Sequence, residues 1–118
     1  MECAAIKILE PTPLAVLVMY RPPKYPMDKF QAKFNSLLSQ IDKEISCPVL
    51  IMGDFNDNYF GQSFLKETYN GYRQLVNKPT TESGSCLDLV LAKDFPEDPK
   101  VTVEHLYYSF HEAISITL

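Results

Sequence analysis

Residues 48–58, PVLIMGDFNDN, carry an apolar run straight into Gly-Asp-Phe-Asn. On an extended segment Asp54 and Asn56, two apart, project from one side, while Phe55 between them points into the core. A carboxylate and a carboxamide presented together at the end of a buried run suit a metal and phosphate site at the mouth of a sheet. Gly, Asp and Asn are also the usual turn residues, so the stretch by itself leaves both readings open. Other side chains with chemical potential lie far off in sequence. Asp88 interrupts the apolar LDLVL (87–91), and a carboxylate in a buried strand needs a partner. His111 stands in YYSFHEAI (107–114), Tyr20 closes LAVLVMY (14–20), and Thr80 and Thr81 sit in the polar NKPTTESGSC (77–86). His105, in an expected strand, reads as structural.

The elements that must position these residues follow from apolar spacing. Segments 3–9 and 14–20 are predicted strands separated by EPTP, and the second is apolar throughout, as suits a strand covered on both faces. After RPPKYP, the residues Phe30, Phe34, Leu37, Leu38, Ile41 and Ile45 recur at steps of three and four, which predicts a helix with one apolar stripe. Asp28 with Gln31 has the spacing of a capping box, placing the helix start there. A third strand follows Pro48. Segment 63–69 is a short helix ended by Asn70-Gly71, 72–76 leads into the polar loop, and 87–92, 101–107 and 113–118 complete the strands. The order predicts a single α/β domain over residues 1–118, with helices against one face of a sheet.

Bulk composition narrows the classes. Hydrophobic content of 46% and charged content of 22% are ordinary for a globular chain. The longest apolar run, 13–20, falls far short of the roughly 20 residues that cross a bilayer, so no membrane partner is expected. No secretory signal is visible at the start. Cys3, Cys47 and Cys86 are odd in number, widely spaced and without a CxxC pair, which points to reduced thiols and an intracellular setting, nuclear or cytoplasmic. Net charge is −4 with the eleven Lys and Arg scattered, where a tight nucleic-acid binder shows a basic face.

Taken in order, YRPP (20–23), GDFN (53–56), PTT…CLDLVL (79–91) and YYSFHEAI (107–114) resemble the C-terminal half of the endonuclease/exonuclease/phosphatase family, the DNase-I-like fold. The likeness runs from about residue 4 to residue 118 and is closest to the versions carried by LINE-type retrotransposons and Helitron-associated elements. GDFN alone is a weak motif; followed at the right distance by PTT, LD and S-x-H it is specific. The resemblance implies half of a four-layered α/β sandwich, with a mixed, mostly antiparallel sheet and helices on one face. It implies the C-terminal part of a Mg2+-dependent, DNA endonuclease-type phosphodiesterase domain of mobile-element origin, acting at the DNA backbone phosphate. Cleaving a phosphodiester needs an activated water, neutralisation of the transferring phosphoryl and donors aimed at its oxygens. By resemblance Asp54 orients or deprotonates the water, Asn56 holds a phosphate oxygen and His111 contacts the scissile phosphate. Asp88 pairs with His111, Tyr20 lies beside the phosphate, and Thr80 and Thr81 are loop hydroxyls near the nucleic-acid backbone.

Two departures bear on activity. The family's S-D-H motif here reads Ser109-Phe110-His111, and phenylalanine offers no oxygen to a hard cation. The family's metal-anchoring glutamate comes from its N-terminal half; only 19 residues precede Tyr20, and neither Glu2 nor Glu10 has the surrounding pattern. Metal assistance supplies several kcal/mol, and about 1.36 kcal/mol is tenfold in rate, so its loss costs on the order of a thousandfold or more. The expectation is a chain inactive alone. The alternatives are a catalytically dead remnant that binds phosphate, nucleic acid or a protein partner, and a phosphatase-branch member. In the family two sheets pack face to face. An inner face left bare over 14–20 and 87–92 would call for a second copy of the chain or an N-terminal half.

Overall fold

Apolar runs without alternation become the inner strands of one sheet. The computed structural model describes residues 2–61, 63, 65–68, 71–106 and 109–118. In chain order the elements are β1 (Glu2–Ile8), β2 (Leu14–Tyr20), α1 (Met27–Glu44), β3 (Val49–Asp54), α2 (Leu65–Thr68), β4 (Arg73–Gln74), β5 (Asp88–Lys93), β6 (Lys100–Glu104) and β7 (Ala113–Thr117). The main sheet runs β1-β2-β3-β5-β4, and β6 and β7 form a separate antiparallel pair. Only β2 and β3 run parallel, joined by the α1 crossover; β1–β2, β3–β5 and β4–β5 are antiparallel. The chain is thus mixed α/β with a mixed sheet.

The helix buries Phe30, Phe34, Leu38 and Ile41, its three-and-four stripe. Phe55, fully buried, meets Phe30 and Phe34 edge-on at centroid distances of 5.9 and 5.7 Å, an arrangement aromatic quadrupoles favour. Lys93 on β5 pairs with Asp42 of α1, which identifies the helix-covered face of the sheet. Residues in register with it or two steps along, Leu91, Leu89, Val49, Ile51, Ala15, Leu17 and Met19, share that face and are buried.

The expected capping box does not form. Pro26 is the N-cap at φ −57° and ψ 131°, with no side-chain cap bond. The proline moves the N-cap two residues earlier and leaves Asp28 in the first turn, where its charge suits the helix dipole. Segment 72–76 is strand only at β4, and 63–69 is helical at α2, with Phe64, Tyr69 and Asn70 outside the described residues. The strand expected at 101–107 ends at Glu104, so His105 lies beyond it; Tyr107 and Tyr108 fall outside the described residues.

The expectation of a bare second face is corrected over β5. There β6 and β7 leave the main sheet and cover it as a second layer. Val101 and Val103 pair across the strands with Ile116 and Ile114, and all four pack against the core. Between the layers lies a cavity of about 240 Å³, lined by Val18, Met52, Asp88 and Val90 from below and by Glu112, Ile114 and Ile116 from above. The face stays open toward β1 and β2, where Ile6 and Val18 are 63% and 47% exposed. Among the described residues no helix is long and apolar enough to cross a membrane.

Candidate functional site

Strand register puts three of the singled-out side chains in one row. Tyr20 at the end of β2 is the partner of Asp54 at the end of β3, and Asp54 is the partner of Asp88 at the start of β5. Partnered residues point to the same face. That face is the one away from α1, at the rim of the gap between the two layers. Gly53 permits the row: a Cβ there would stand 1.8 Å from the Met19 carbonyl oxygen, so only glycine lets β2 and β3 close on each other at this point.

Two carboxylates directly opposite each other repel. His111 relieves this pair. Its Nδ1 lies 2.6 Å from Asp88 Oδ2, and its Nε2 is 3.7 Å from Asp54 Oδ2. The first is a short, charge-assisted hydrogen bond. The second is an ion-pair distance without a hydrogen bond, so Nε2–H remains the open donor among the described residues. His111 comes from the segment leading into β7, held by an antiparallel bridge to Thr81 and by its own N–H donating to Ser109 Oγ at 3.1 Å.

The electrostatics follow from this geometry. The hydrogen bond to Asp88 holds the His111 imidazole protonated to higher pH than usual, against a smaller opposing effect of burial. Burial pushes the Asp54 carboxyl up; the N–H of Asn56 pulls the other way and Asp88 adds to the rise. Burial likewise raises the Cys86 thiol, to about 11, which makes it an inert core group.

Asn56 departs from the expected geometry. The strand ends at Asp54, whose Oδ1 accepts the Asn56 N–H at 2.9 Å, a turn closed by its own aspartate. Asn56 has φ +47°, a left-handed conformation asparagine tolerates, and its Nδ2 donates to the Arg21 carbonyl at 2.6 Å. The simple two-residue alternation that sets Asp54 and Asn56 side by side therefore does not extend past the strand. One carboxamide N–H is committed to the backbone, and one is left for a ligand.

Arg21 holds this turn, and sequence reasoning missed it. It is only 6% exposed. Nη1 donates to the carbonyls of Phe55 and Asn56 at 3.1 and 2.8 Å, and Nη2 to that of Tyr25 at 2.8 Å. The available signal was a guanidinium immediately after an apolar strand, a residue type seldom buried unless paired. Thr80 is placed differently from the substrate contact expected of it. It is fully buried, and its Oγ1 accepts the N–H groups of Leu87 and Asp88 at 3.0 and 3.1 Å, which positions Asp88. Thr81 remains half-buried beside the open loop, its Oγ1 2.6 Å from Ser85 Oγ and 3.0 Å from Ser83 Oγ. His105 gains a partner in Glu112, at 3.0 Å from Oε1. Phe110 is 77% exposed.

No family model and no curated protein matches the chain. The site is therefore judged on its donor set. Asp54, Asp88 and His111 each offer an atom within 4.8 Å of the others. Mg2+ demands near-octahedral oxygen coordination. Here one of the three donors is an imidazole, and Nδ1 of that ring and Oδ2 of Asp88 are already committed to each other. Phe110 adds no oxygen. These residues do not fit a resident Mg2+.

Proposed function

We propose that this chain is the C-terminal part of a phosphodiesterase domain of the endonuclease/exonuclease/phosphatase kind, and that by itself it binds a nucleic-acid backbone phosphate without cleaving it. In this reading the five-stranded sheet with β6 and β7 over its inner face is part of a DNase-I-like sandwich. The observation that carries the proposal is the row Tyr20–Asp54–Asp88, with His111 seated on it through Asp88 at 2.6 Å. A carboxylate that fixes one imidazole nitrogen leaves the other N–H as a donor, charged when the ring is protonated, which is what a phosphate oxygen needs. The second N–H of the Asn56 carboxamide and the Tyr20 hydroxyl add neutral donors beside it.

The charge balance argues for binding over turnover. Even with the imidazole protonated, the two carboxylates of the row outnumber it, so a bound phosphodiester gains from His111 but finds no surplus positive charge to stabilise a transition state. Incubation of supercoiled plasmid with the chain and magnesium is expected to give no nicks above background. A titration with inorganic phosphate is expected to shift the His111 ring resonances, and His111→Ala is expected to abolish saturable phosphate binding. Nicking by the unmodified chain, with an Asp54→Ala control dead, would refute binding without cleavage. Nicking by Phe110→Asp alone would locate the loss of activity in that one side chain. An unchanged His111 spectrum in phosphate would sink the phosphate reading itself.

A further inference from the structure

Phe110 stands next to His111 and has no part in the core. It is 77% exposed, more than any other large apolar side chain described. Full burial of such a ring is worth about 1.5–3 kcal/mol, so leaving it in water forgoes a substantial stabilisation. The backbone around it is pinned rather than loose. The Phe110 carbonyl accepts the Glu82 N–H at 3.2 Å, Thr81 and His111 form the bridge, and the Glu112 N–H donates to the Thr80 carbonyl at 2.8 Å. Residue 110 lies at a bend, so the strict side-to-side alternation that would turn its ring away from His111 does not apply. The loop across from it carries the Thr81, Ser83 and Ser85 hydroxyls, within 2.6–3.3 Å of one another. A second partly exposed ring, Tyr20 at 40%, stands in the row itself.

Resting on the phosphate reading above, we propose that Phe110 is a base-stacking residue and that the site takes single-stranded nucleic acid. The phosphate sits on His111 and Asn56, and the adjoining unpaired base lies on the Phe110 ring. The charge of the chain makes stacking the needed contribution. At a net −4, many phosphate contacts cannot supply the affinity, whereas stacking of a base on an aromatic ring supplies about 1–3 kcal/mol irrespective of sequence. A paired base hides its faces within the duplex, so the ring selects unpaired nucleotides.

The test is a fluorescence-anisotropy titration of the chain with a short oligothymidylate and with an abasic oligomer carrying the same number of phosphates. The unmodified chain is expected to bind the oligothymidylate about fivefold or more tighter than the abasic oligomer. Phe110→Ala is expected to erase that difference while leaving the affinity for the abasic oligomer unchanged, and Phe110→Trp to keep it. Because the side chain is exposed, melting temperatures are expected to stay equal, so a lost difference reports stacking. If Phe110→Ala keeps the preference, or if the unmodified chain binds both oligomers equally, the stacking inference falls and the phosphate site stands. If neither oligomer binds, both fall together.

Discussion

At the scale of single residues the site is a problem in charge placement. Asp54 and Asp88 face each other across two strands, and His111 is the cation between them. Folding raises the affinity of His111 for its proton, so its contribution to stability is complete below the ordinary imidazole value of 6.5 and disappears as the pH rises through the raised value. Asp54, whose affinity for a proton is raised by burial, acts in the same direction from the acid side. Its ionisation is resisted in the folded chain, so folding loses stability as the pH climbs from the ordinary 3.8 through the raised value. The melting temperature is therefore expected to fall as the pH rises above 6.5, and in His111→Gln the part of that slope due to the imidazole is expected to vanish. Phosphate affinity is expected to follow, rising toward lower pH as the imidazole gains its proton. Thermal melts and phosphate titrations at pH values on either side of 6.5 check both, and a pH-independent melting temperature would mean that the ion pair does not form.

At the scale of elements, the site depends on how closely two parallel strands approach. Gly53 has φ +148° and lies against the β2 backbone, with no room for a methyl group. Gly53→Ala must push β2 and β3 apart at the row, and a loss of more than about 3 kcal/mol is expected by urea denaturation, or outright failure to fold. A folded, near-native Gly53→Ala would show that the strands yield there at little cost. The close strand approach at Gly53 was not legible in the sequence. β2 and β3 were, as unbroken apolar runs bounded by turn residues, and β5 was, as the apolar run that follows Asp88. The helix stripe was legible for the same reason, though its start was misjudged because Pro26 outweighs the Asp28–Gln31 spacing. What sequence could not show was non-local. Nothing in VTVEH or AISIT tells a strand joining the main sheet from one lying over it, since both leave the same alternation. The parts taken by Arg21 and Thr80 were hidden too, because they act through backbone groups of Asn56 and Asp88 far along the chain.

At the scale of the whole molecule, the second layer is narrower than the first. β6 and β7 cover the β3–β5 half, while Ile6 and Ile8 of β1 and Val18 of β2 stay at least 38% exposed. They sit beside the outer edge of β1, whose backbone groups have no partner strand among the described residues. A contiguous apolar face next to a free strand edge favours association. Concentration-dependent self-association is expected in sedimentation velocity, and Val18→Lys is expected to shift it toward the monomer; a monomer at every concentration would show that the face tolerates water. The division into two layers has one more outcome. Asp54 and Asp88 belong to the lower layer, and His111 to the segment that leads into β7 of the upper one. A chain whose β6–β7 pair lifted off the main sheet would leave the two carboxylates facing each other with no imidazole between them. Under the phosphate reading, affinity for phosphate would therefore report whether the upper layer is seated on the lower one.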